Sequence, residues 1–188
     1  STVPEAQSSP TAMIFTPEVE SNRIFMLGVI TLLQAQGLSA DPAKTWRLQW
    51  KNVPDDWETA TSFSTERRTD VEASFRDLQR SMFYAGSDLR ILRREVEGRP
   101  VLLALSGSWS FDDERLMEIT TKIISAQRDF FDDHDAPYFI IGLLPVRLRG
   151  TPLEGQDLAS GTGLHQSFVA FLVPEQTSLK GSRAFKVK

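Results

Sequence analysis

Cysteine is absent from this 188-residue sequence, which excludes disulfides and thiolate metal sites. The absence names no compartment, and periplasm and cytoplasm stay equally open. Histidine is scarce: His134 and His165 are the only two. A structural zinc takes about four protein ligands and a catalytic zinc about three plus water. Two distant imidazoles therefore supply at most part of a site, and no H-E-x-x-H spacing sets two histidines on one helix face. There is no apolar run of about 18 residues, so no membrane-spanning helix is expected. The start, Ser1 to Pro10, lacks the basic-then-apolar order of a signal peptide. With a net charge of −4 and scattered basic residues, the chain is not expected to bind nucleic acid. The expectation is a soluble protein.

What is present is an ordinary globular composition, with 40% hydrophobic residues. A chain of this length buries roughly 70% of its unfolded surface and needs no staples. Residues 1–12, polar and Ser/Pro-containing, read as a flexible lead-in. Ile24 to Leu33 is a continuous apolar run that fits a buried strand or a buried helix, and strand is favoured because Gly28 interrupts it. Gln34 to Pro42 reads as a loop. Thr45 to Trp50 alternates in the period of a half-buried strand, and Pro54-Asp55-Asp56 turns the chain toward a return strand over Trp57 to Phe63. Thr69 and Glu72 match a capping box, with Val71, Phe75, Leu78 and Met82 at helical spacing and Gly86 as the stop. Leu89–Val96 and Pro100–Leu105 form a predicted hairpin about Glu97-Gly98-Arg99.

The longest helical signal runs from Asp112 to Asp133. Ser110, Asp112 and Asp113 are candidate caps, Leu116, Ile119, Ile123, Gln127 and Phe130 are expected to line the buried face, and Pro137 stops the helix. Tyr138 to Val146 is apolar at nearly every position, as a strand buried on both faces is. Arg147 to Thr162 reads as a polar connection, His165 to Val173 as a last strand, and Pro174 to Lys188 as a polar, basic tail. This order of elements predicts an α+β fold.

Chemistry is thin. Asp132-Asp133-His134-Asp135 is the one acidic and histidine-bearing run, and it reads better as a solvated helix end than as a metal site. Ser106-Gly107-Ser108 is not a nucleophile elbow. Gly161-Thr162-Gly163 lacks the Lys-Ser/Thr ending of a phosphate loop. Trp46 and Trp50 share a strand face and read as core.

Several weak motifs, taken in order, carry a resemblance. They are Trp50-Lys51-Asn52-Val53-Pro54-Asp55-Asp56-Trp57 with Ala60-Thr61-Ser62-Phe63, Leu103-Ala104-Leu105-Ser106-Gly107, Gln127-Arg128-Asp129-Phe130-Phe131, Ala136-Pro137-Tyr138-Phe139, and Gly161-Thr162-Gly163-Leu164-His165-Gln166-Ser167-Phe168. Across residues 20–175 the chain resembles the glycyl aminopeptidase family of zinc metallopeptidases, many of which carry a C-terminal PDZ domain. The resemblance implies a β-rich N-terminal domain followed by a thermolysin-like catalytic domain. It divides the chain into the lead-in 1–12, a β-rich partial sandwich with one short helix over 13–109, and the start of a peptidase-like domain over 110–188 that ends before the zinc-binding helix. It also implies that Gly161, Gly163, Leu164 and His165 belong to a strand lining the substrate cleft, where a peptide adds by main-chain pairing. The family's strand often reads Gly-Gly-Leu-Glu-His. Thr162-Gly163-Leu164-His165-Gln166 has no glutamate there, which leaves a substrate-amine role without its residue.

Two functions compete on these grounds. One is the non-catalytic N-terminal portion of a zinc aminopeptidase, with peptide substrate and zinc belonging to the full-length protein. The other is a degenerate peptidase-like interaction module without activity. Self-association through surface left uncovered is a further expectation. No catalytic residue and no metal ligand is assigned within these 188 residues. The purified chain is therefore expected to be catalytically silent; stoichiometric zinc together with cleavage of aminoacyl reporters would overturn this.

Overall fold

The structure is a computed structural model that describes residues 17–34, 42–134, 136–146, 159–174 and 177. The predicted lead-in 1–12, most of the Gln34–Pro42 loop, residues 147–158 of the polar connection and nearly all of the tail lie outside them. The element order is β1 (Glu18–Val19), β2 (Arg23–Leu27), α1 (Gly28–Thr31), β3 (Lys44–Gln49), β4 (Glu58–Thr61), β5 (Arg68–Ala73), α2 (Phe75–Gln79), β6 (Met82–Gly86), β7 (Arg90–Val96), β8 (Arg99–Leu105), α3 (Asp113–Phe131), β9 (Phe139–Pro145), β10 (Ala159–Leu164) and β11 (Ser167–Leu172). The fold is mixed α+β and rich in sheet, as the element order predicts.

Three sheets form. One has the order β1-β2-β6-β4, one is the β3-β5 pair, and the largest has the order β10-β11-β9-β8-β7. In the largest, β9 runs parallel to both neighbours, while β7 and β10 pair antiparallel at the outside. Parallel neighbours need a long crossover, and α3 supplies the one between β8 and β9. Strands on both sides of residues 107–112 are thereby hydrogen-bonded into one sheet.

The pleat explains the apolar runs. Along β8, Leu102 and Ala104 face the four-stranded sheet, packing with Phe25, Met82 and Tyr84. Val101, Leu103 and Leu105 face the other way, onto Met117 and Ile124 of α3. In β9, Ile140 and Leu144 face the first side and Leu143 the second. Burial on both faces is what continuous apolarity at residues 138–146 requires. Gly142 leaves room that Met82 occupies: a Cβ there would lie 2.9 Å from the Met82 sulfur.

The hairpin of β7 and β8 forms as expected, with Glu97 at φ 54° and Gly98 at φ 72° in its two-residue turn. Helix α3 also forms, capped by Asp112, whose side chain accepts from the Arg115 amide. Among the described residues no helix is long and apolar enough to cross a membrane.

Four expectations are corrected. The strand over Ile24–Leu33 stops at Leu27; residues 28–31 turn helically against α2, where a Cβ on Gly28 would stand 2.1 Å from the Leu78 carbonyl oxygen. Thr69 and Glu72 cap nothing. They lie in β5, where Val71 stands opposite Trp46 and the period-2 pattern outweighs the helical one. The capping box is five residues later: Ser74 accepts from the Asp77 amide and Asp77 accepts from the Ser74 amide, and the helix ends at Gln79, leaving Met82–Gly86 as a buried strand. The return strand at Glu58–Thr61 pairs with β6 rather than β3.

The fourth correction concerns the face of α3. Met117, Thr120, Ile124 and Arg128 are buried, whereas Ile123 is 39% and Phe130 81% exposed. The apolar pattern alone favoured the neighbouring face; Arg128 belongs to the buried one because its guanidinium reaches the Val96 carbonyl. Ile124→Asp is therefore expected to cost about 3 kcal/mol or more of stability by burying an unpaired charge. Ile123→Asp should cost less than about 1 kcal/mol. Chemical denaturation of both variants checks the order, and a larger loss for Ile123 would refute this face.

Candidate functional site

The β10–β11 hairpin brings Gly161, Gly163, Leu164 and His165 together at the margin of the large sheet. Strand β10 is outermost among the described strands and pairs only with β11. A two-residue turn of His165 and Gln166 joins them, with Gln166 at φ 47° and Leu164 opposite Ser167. A turn of this length is closed by a hydrogen-bonded pair, and antiparallel pairs alternate. Leu164 and Thr162 therefore bond inward to β11. Gly163 and Gly161, opposite Phe168 and Ala170, turn their N–H and C=O groups away from it.

The two glycines differ in their surroundings. A Cβ on Gly161 would meet the Phe168 ring at 2.5 Å, so that ring lies across the strand at this point. A Cβ on Gly163 would meet nothing within 4 Å. Both glycines are exposed.

The tip of the hairpin is held firmly. The His165 amide donates to the Arg80 carbonyl at 2.5 Å. Its Nδ1 lies 3.2 Å from Asp77, and its ring packs 5.2 Å from that of Phe63. Ser167 shares a 2.6 Å hydroxyl contact with Ser62, which also accepts from the Met82 amide. The Ser167 hydroxyl reaches the His165 carbonyl at 2.9 Å as well. The His165 N–H is thus engaged within the fold. Ser62, Asp77 and Arg80 do this anchoring, and nothing in the sequence pattern pairs them with His165 or Ser167.

Burial pushes the His165 imidazole below its ordinary value; Asp77 opposes the shift and Arg80 adds to it. His134 is the reverse case. It is exposed, its Nδ1 is 2.7 Å from Glu97, and the hydrogen bond it donates to that carboxylate raises its pKa, with Asp132 and Asp129 adding to the rise.

These residues do not fit a catalytic zinc. The two histidines stand in different places, each with its own acidic partner. Among the described residues, one group has three ligand atoms within 4.8 Å: Glu97, Asp129 and His134. All three are exposed, and none lies on the β10–β11 hairpin.

The sequence matches no protein-family model and no curated protein sequence. Solved structures are more informative. An aminopeptidase N family protein from Idiomarina loihiensis superposes with a TM-score of 0.68 at 18% identity, covering 89% of this chain and 28% of that one. The chain shares its fold with part of that protein. A two-domain M1 zinc metallopeptidase, solved as a mutant bound to L-arginine, superposes with a TM-score of 0.50 at 14% identity, covering 94% of this chain and 41% of the other. The chain thus spans less than half the length of either structure.

The two histidines titrate on opposite sides of 6.5. A depressed folded value means that His165 contributes stability above that pH, lost as the pH falls through the folded value. The contribution of His134 is present below 6.5 and is lost as the pH rises through its own, raised value. Imidazole NMR titration is expected to place the His165 midpoint below that of His134, and His165→Gln should lessen the loss of thermal stability on mild acidification. The opposite order of midpoints would contradict the structure.

Proposed function

We propose that this chain is the N-terminal, non-catalytic portion of a zinc aminopeptidase of the glycyl aminopeptidase type and that β10 forms one wall of its peptide cleft. The observation that carries this reading is the outer edge of β10, where two exposed glycines turn their main-chain groups outward. Peptide addition to a sheet edge needs free N–H and C=O groups and room for a second backbone to approach. Gly163 provides that room because nothing occupies the space a side chain would take. The fold likeness to part of an aminopeptidase N family protein supports the same reading.

On this proposal the β-rich N-terminal domain continues past residue 109, since β8 and β9 pair in one sheet across residues 107–112, and the thermolysin-like catalytic domain belongs to the full-length protein. Zinc and its H-E-x-x-H helix belong to the full-length protein, since the 188 residues contain no such motif. Gly161 and Gly163 receive the peptide main chain and Leu164 borders it. His165 holds the strand in place through Asp77 and the Arg80 carbonyl. The anchored tip costs the strand its freedom before the peptide arrives, so less ordering is left for binding.

Short extended peptides added to the chain are expected to shift the amide resonances of Gly161 and Gly163 first. Gly163→Pro, which removes an outward N–H from an edge position where proline is tolerated, should weaken binding about tenfold without changing the melting temperature by more than a few degrees. Shifts confined to other surfaces would remove the cleft assignment. In the longer protein, zinc content with aminopeptidase activity supports the enzyme. Peptide binding at β10 without zinc or turnover supports the interaction module.

A further inference from the structure

A second site lies on the opposite side of the sheet from β2 and β6, at the C-terminal end of α3. Ile124, Gln127, Arg128, Phe131, Asp133 and Phe139 line a cavity of about 230 Å³ there. Its walls are mainly aliphatic and aromatic, and its inner wall holds a cation: Arg128 is 5% exposed.

Among the described residues the guanidinium of Arg128 is only partly satisfied. Its Nη1 donates to the Val96 carbonyl at 2.6 Å. Its Nη2 is buried and has no hydrogen-bond partner, and among the described residues no carboxylate pairs with this guanidinium. Buried charges are ordinarily paired, because an unpaired one carries the whole desolvation penalty. Other arginines of this protein do find carboxylates: Arg90 meets Asp113, and Arg47 meets Asp70. A buried guanidinium beside a cavity, with a donor left over, is the arrangement of an anion site awaiting its anion.

We propose that this cavity binds a small monocarboxylate with an apolar or aromatic body, its carboxylate paired with Nη2 of Arg128. The apolar body fits against Ile124, Phe131 and Phe139. Gln127 stands at the mouth as a second donor to the carboxylate. Asp133 on the rim and the exposed Asp129 and Asp132 nearby repel a second negative charge, which selects a monoanion over phosphate or a dicarboxylate. Nη2 is sealed from solvent in the fold, so a ligand reaches it only as the side chains of the cavity wall shift. A free carboxylic acid and the C-terminus of a peptide offer the same chemistry. The site is independent of the β10 edge and does not rest on the peptidase reading.

The test titrates the chain with 3-phenylpropanoate and, separately, with its amide, and then with a tripeptide ending in phenylalanine as the free acid and as the amide. The free acid is expected to shift the resonances of residues 127–133 and Phe139 and to raise the melting temperature, with the neutral amide binding at least about tenfold more weakly. Binding by the tripeptide acid identifies a chain terminus as a ligand, and its failure restricts the site to small acids. Arg128→Met keeps the packed stem and should abolish the preference for the acid. Gln127→Glu, at an exposed position, introduces a competing carboxylate and should weaken acid binding without unfolding the chain. Equal binding of acid and amide, undiminished acid binding to either variant, or no shift at millimolar ligand would overturn the proposal.

Discussion

Strand β9 has no polar face, and the rest of the structure is arranged around that constraint. Alternate residues from Phe139 to Pro145 point to opposite sides of the sheet, and both sides must be dry. One cover is the four-stranded sheet, brought over by Phe25, Met82 and Tyr84. The other is α3, brought over by Met117 and Ile124. Neither cover suffices alone, because a strand that is apolar on both faces exposes one of them unless two layers close on it. The crossover that makes β8 and β9 parallel also delivers α3 to its face. Connectivity and burial therefore have one solution.

The buried polar groups tie the layers together. Tyr84 reaches the Ser106 hydroxyl at 2.5 Å, and Arg23 reaches the same hydroxyl while pairing with Glu18. Burial raises the Tyr84 pKa well beyond the phenolic range, so the hydroxyl stays neutral and serves as a hydrogen-bonding link. At the other end, Ser62 and Ser167 join the two sheets through a single hydroxyl contact. Such links specify which residues face each other, a task that apolar packing performs less selectively.

That second link connects the core to the β10 edge. Ser167 begins β11, and His165 and Gln166 form the turn from β10. The core anchors the turn through Ser62, Asp77 and the Arg80 carbonyl. The outer side of β10 is left to glycines. A rigid tip beside an open margin presents main-chain groups in a set direction at little entropic cost.

Much of this was legible in the sequence. The two-faced apolarity of residues 138–146 called for a central strand, Glu97-Gly98 for a tight hairpin, and the cap candidates Ser110, Asp112 and Asp113 for a helix start, each through a local rule that tertiary contacts reinforced. Pairing partners and helix rotation were not legible. Whether Thr69–Ala73 becomes helix or strand depends on Trp46 waiting across the sheet, a contact far away in sequence. Which stripe of α3 is buried depends on the Val96 carbonyl meeting Arg128, and no periodicity of apolar residues reports a buried arginine. The sequence by itself determined the period of each segment, its caps and its turns, because these follow from neighbours along the chain. Only the tertiary structure decided which strand meets which and where charge is buried, because those energies arise between residues that the chain order keeps apart.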